Sequence, residues 1–129
     1  MTAQAEKSLD RSWLAQAVQK IAELSALPEN WDGYGSRSIQ QTAVEQASSL
    51  LPGLASFNLP APQIFPVPGG GIQLEFQQEA RELEIEILPD GSMEYLTMNE
   101  EGQMSEGFVL PADIYRLAHW LQAELLAAA

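Results

Sequence analysis

Between residues 72 and 87 the chain alternates twice between apolar and polar side chains. Ile72, Leu74 and Phe76 interleave with Gln73, Glu75 and Gln77, and Leu83, Ile85 and Ile87 interleave with Glu82, Glu84 and Glu86. Successive side chains of a strand point to opposite faces, so a period of two predicts two half-buried strands with one apolar and one polar face. An antiparallel sheet covered on one side accommodates that pattern, whereas a parallel sheet, covered on both, calls for continuous apolar runs.

The flanking segments extend the meander. Pro89-Asp90-Gly91 is a turn signal, proline presetting φ and glycine accepting a positive φ, and it leads to a strand around Met93 to Met98. Upstream, the Gly69-Gly70-Gly71 run reads as a hairpin turn; no Gly-Lys-Ser/Thr follows it, so it does not read as a phosphate cradle. Gln63 to Val67 contains Pro66, which confines that strand to an edge. Gly107 to Leu110 reads as a short last strand.

Helical spacing appears at both ends. Leu9, Trp13, Ala17 and Leu24, with Leu14 and Ile21 at the flank, form an apolar stripe that Pro28 terminates. A second helix is expected from Ser38, as a capping residue with Gln41 three positions on, to about Leu51 before Pro52-Gly53, burying Ile39, Ala43, Ala47, Leu50 and Leu51. A C-terminal helix from Pro111 carries the stripe Ile114, Leu117, Ala118, Leu121 and Leu125. The expected fold is α+β: two N-terminal helices, a four- to five-stranded antiparallel meander, and a C-terminal helix packed on one sheet face. At 129 residues and 46% hydrophobic content, one domain spans residues 1–129, with 1–8 and 127–129 read as frayed.

The helices are joined by Leu27-Pro28-Glu29-Asn30-Trp31-Asp32-Gly33-Tyr34-Gly35-Ser36. Two glycines, an acid able to bond turn amides and two aromatics read as a structural corner formed by Asn30, Trp31, Asp32, Gly33, Tyr34 and Gly35. A calcium loop would need a longer regular series of oxygen ligands. Asn30-Trp31-Asp32-Gly33-Tyr34-Gly35, then Gly70-Gly71-Ile72-Gln73-Leu74-Glu75-Phe76, resembles a group of small uncharacterised bacterial proteins that share an N-W-D-G-Y-G motif and a G-G-[IV]-x-L-E-[FW] strand. The resemblance implies relatives and no activity.

Charge narrows the functional classes. Eighteen acidic against six basic residues give a formal net charge of -12, which opposes direct binding to nucleic acid and favours a basic protein partner. The chain has no cysteine, so thiolate catalysis and cysteine-ligated metals are excluded; no cofactor pattern is present, and one histidine, His119, cannot build a two-histidine site. No apolar run approaches the roughly 20 residues of a membrane span, and the N-terminus lacks the pattern of a secretory leader, so a cytoplasmic protein is expected.

Acids concentrate between Glu75 and Glu106, opposed there only by Arg81. Glu75, Glu84 and Glu86 are expected on the solvated face, joined either by Glu94, Leu96 and Met98 or by Met93 and Tyr95. An apolar spot among acids is the form of a partner-binding patch. The expectation is a non-enzymatic interaction protein, antitoxin-, inhibitor- or adaptor-like, binding through Glu75, Glu84, Glu86, Glu94, Leu96 and Met98. A carboxylate-dependent hydrolase and a homodimer are the alternatives.

Overall fold

The structure, a computed structural model, describes residues 13–128, with side chains to residue 122. In chain order it has α1 (Trp13–Ser25), α2 (Gln41–Leu54), β1 (Gln63–Val67), β2 (Gly71–Gln78), β3 (Arg81–Ile87), β4 (Met93–Met98), β5 (Met104–Val109) and α3 (Pro111–Ala128). The strands form one antiparallel sheet in the order β1-β2-β3-β4-β5. This is the α+β architecture that the alternation predicts.

All three helices pack on one side of the sheet. Ile64, Leu74 and Ile85 form one inward row, Ile72, Ile87, Met93 and Val109 another, and Phe76 faces Leu83 in a third. Onto them α1 presents Trp13, Ala17, Ile21 and Leu24, α2 presents Ala43, Ala47, Leu50 and Leu51, and α3 presents Ile114, Ala118 and Leu121. Trp13 meets Phe76 edge-on, with ring centroids 6.2 Å apart, and its indole N–H donates to the Leu59 carbonyl at 3.3 Å. The large apolar body is thereby buried without an orphaned donor.

Two helix boundaries differ from expectation. Ser38 does not cap α2; Gln40 occupies the capping position and makes no side-chain cap. Gln40 N–H donates instead to the Gly70 carbonyl at 2.9 Å, which ties residues 38–40 to the β1–β2 turn and keeps them extended until Ile39 is buried. Nor does Pro52 end α2, which runs to Leu54 with the proline inside it. Leu50, Leu51 and Leu54 are all buried, whereas the carbonyl left open by the missing N–H belongs to Ser48 on the exposed side. Burial of the last turn outweighs the lost bond.

Arg81, the lone base in the acidic segment, lies on the inward-facing alternation. It pairs with Glu100 at 3.2 Å, donates to the Trp120 carbonyl at 2.9 Å and lies 4.8 Å from the Trp120 ring centroid. It fastens α3 to the sheet and leaves the opposite face without a basic strand residue. The stretch 1–8, read as frayed, and the first stripe residue Leu9 lie outside the described residues, as does the side chain of Leu125.

Candidate functional site: the uncovered face of the sheet

The site is built by strand register. Side chains on the face away from the helices fall into three cross-strand rows. The first is Phe65, Gln73, Glu86, Glu94 and Phe108; the second is Gln63, Glu75, Glu84, Leu96 and Glu106; the third is Gln77, Glu82, Met98 and Met104. Glu75, Glu84, Glu86, Glu94, Leu96 and Met98 therefore share one surface. The register also decides which half of β4 joins the glutamates: Leu96 and Met98 do, while Met93 and Tyr95 face the helices.

Phe65, Met104 and Phe108, which the sequence did not single out, belong to the same surface. Their exposures are 41%, 63% and 77%. Glu75, Glu82, Glu84, Glu86 and Glu94 thus occupy the three middle strands and Glu106 the edge strand β5, with the apolar side chains of Phe65, Met104 and Phe108 at the two edges. A period-two pattern identifies which residues share a face within one strand but not between strands, so only the register could add these three.

Electrostatically the centre is under stress. Glu75 stands opposite Glu84, and Glu86 opposite Glu94. Like charges directly across a ladder repel. Burial, then the neighbouring charges of Glu75 and Glu82, then a hydrogen bond shared with Glu75, push the Glu84 carboxyl above its ordinary value. Gln73 relieves part of the strain by donating its side-chain N–H to Glu75 at 2.5 Å. A hollow of about 190 Å³ lies here, lined by Gln63, Glu75, Gln77, Glu82 and Glu84 among others.

The Asn30-to-Gly35 corner is a separate, self-bonded unit. The Asp32 carboxylate accepts the amides of Tyr34 at 2.9 Å and Ser36 at 3.2 Å as well as the Ser36 hydroxyl, and these bonds hold its pKa below the ordinary value. The Asn30 side-chain oxygen accepts Gly35 N–H at 2.6 Å, and Trp31 donates its indole N–H to the Arg37 carbonyl at 3.0 Å. Gly33 and Gly35 have φ of 79° and 85°, so conformation and not space selects glycine; a Cβ at either would meet nothing within 4 Å. Tyr34 corrects the reading of a packed corner. It is 92% exposed, because hydrogen bonds to Asp32 and Asn30 shape the loop without needing its ring.

His119 is exposed on α3. Among the described residues no group of three or more histidines or acids is placed to hold a metal ion, and no helix is long and apolar enough to cross a membrane. No known protein family, curated protein or solved structure matches the chain.

Proposed function

We propose that this is a non-enzymatic interaction protein of the cytoplasm whose uncovered sheet face binds a basic protein partner. The observation that carries this reading is the register: it gathers Glu75, Glu84, Glu86, Glu94 and Glu106 with Leu96, Met98, Met104 and Phe108 on the one sheet face that no described helix covers. Lysine and arginine from a partner would offset the repulsion between opposed carboxylates, and the apolar side chains would supply burial. The character is that of an antitoxin, inhibitor or adaptor. The acids disfavour nucleic acid as a direct ligand. Kinship with the N-W-D-G-Y-G proteins belongs to the same proposal and assigns no role.

A carboxylate-dependent hydrolase is the second reading, favoured by the Glu75–Glu84 pair and the raised Glu84 pKa. The hollow beside that pair, about 190 Å³, is smaller than the roughly 300–1,000 Å³ typical of ligand pockets. Replacing Glu84 and Glu86 together by Lys tests the binding reading: the folded variant loses the partner that wild type retains. Retention of that partner by the variant overturns it.

A further inference from the structure

The two terminal strands of the sheet are unlike. β1 contains Pro66 and has α1 packed beside it; β5, Met-Ser-Glu-Gly-Phe-Val, contains neither proline nor lysine, the usual blocks against edge pairing. The direction of its open groups follows from the ladder. Asn99 N–H donates to the Gln103 carbonyl at 3.0 Å, which makes Thr97–Ser105, Tyr95–Gly107 and Met93–Val109 the hydrogen-bonded pairs of the same register. The alternate residues, Met104, Glu106 and Phe108, therefore turn their backbone N–H and C=O groups away from β4. Among the described residues no strand lies beyond them. Their side chains stand on the acidic face, where all three are exposed.

We propose that β5 is the docking edge for an extended segment of the basic partner, which adds to the sheet as a sixth strand. The segment has the pattern apolar–x–basic–x–apolar, its basic residue opposite Glu106 and its apolar residues opposite Met104 and Phe108. This deepens the proposed function and rests on it. Charge selects the occupant: a second copy in full overlap would set Glu106 against Glu106 and bring together two chains of net charge -12, whereas a lysine or arginine there is complementary. At the end of β5 a cavity of about 400 Å³ opens beside this edge, lined by Gln46, Met93, Val109 and Asp113 on the helix side together with Phe108 and Leu110.

The test is a titration of the isotope-labelled full chain, followed by amide NMR, with the blocked peptide Thr-Ile-Thr-Arg-Thr-Ile-Thr up to about 1 mM. Two controls accompany it: the same peptide N-methylated at both isoleucines and the arginine, and one with glutamate in place of arginine. The expected result is that the first peptide slows amide exchange at Met104, Glu106 and Phe108 by roughly tenfold or more, and that neither control does. Shifts confined to residues around Glu84 and Glu86, equal for the N-methylated peptide, would overturn strand addition while leaving the acidic-face reading intact. Protected β5 amides without peptide, in a chain whose light-scattering mass is that of a dimer, would give the edge to a second copy and overturn the proposal. So would the absence of any shift at the highest concentration.

Discussion

Glu75 on β2 stands directly across the ladder from Glu84 on β3, and burial, followed by the facing Glu75 charge, raises the Glu84 pKa. The folded protein therefore holds a proton on Glu84 at pH values where the unfolded chain has released it. Stability from this group is present in full below the ordinary glutamate value of 4.5 and is lost as pH rises through the raised value. Glu84→Gln removes the charge and keeps a hydrogen-bonding group. The variant is expected to unfold at higher urea concentration than wild type at neutral pH, with the difference closing below about pH 4. Urea melts of both proteins across that range check it.

The loop prediction has the opposite sign. The Asp32 pKa is lowered by its bonds to Ser36 and Tyr34, so its contribution is present above the ordinary aspartate value and is lost as pH falls through the lowered one. Asp32→Ala is expected to speed amide exchange at Tyr34 and Ser36 at neutral pH while leaving β2 and β3 protected. Exchange measured by NMR residue by residue is the check.

Inward and outward aromatics separate by burial. Phe76 is 1% exposed and touches Trp13, so Phe76→Ala is expected to cost about 3–5 kcal/mol. Phe108, 77% exposed, is expected to change stability by no more than about 0.5 kcal/mol on replacement by Ala. Denaturant melts of the two variants measure both, and a large loss for Phe108→Ala would mean that the outer face contributes to the fold.

Gly71 opens β2 where a Cβ would come within 2.5 Å of the Ile87 carbonyl oxygen. Since that neighbour is backbone in the adjoining strand, Gly71→Ala must push β2 and β3 apart locally. A loss of about 1–3 kcal/mol is expected in the same melts.

These residues also show which parts of the molecule could be read from the sequence. β1 with Pro66 and β4 from Met93 to Met98 were legible because local chemistry fixes them: a missing donor assigns an edge, and a Pro-Asp-Gly turn sets where the next strand begins. β5 begins at Met104, earlier than Gly107, since Met104, Ser105 and Glu106 are all exposed and carry no alternation; the Asn99–Gln103 turn sets its start. The end of α2 was hidden because burial of Leu54 and Ala55 overrides a proline signal. Glu75, Glu84 and Glu86 followed from periodicity, while Glu94, Leu96 and Met98, and with them Phe65, Met104 and Phe108, joined them only through cross-strand register.

The central claim is that the acidic face holds a basic partner, and affinity capture from the host lysate tests it most directly. Wild type and the Glu84→Lys, Glu86→Lys double variant are compared, with the fold of each verified by circular dichroism and each retained protein then purified and titrated against both. The account predicts a basic protein that binds wild type, weakens with added salt and is lost by the variant. A partner bound equally by both, or identical empty captures, would contradict it.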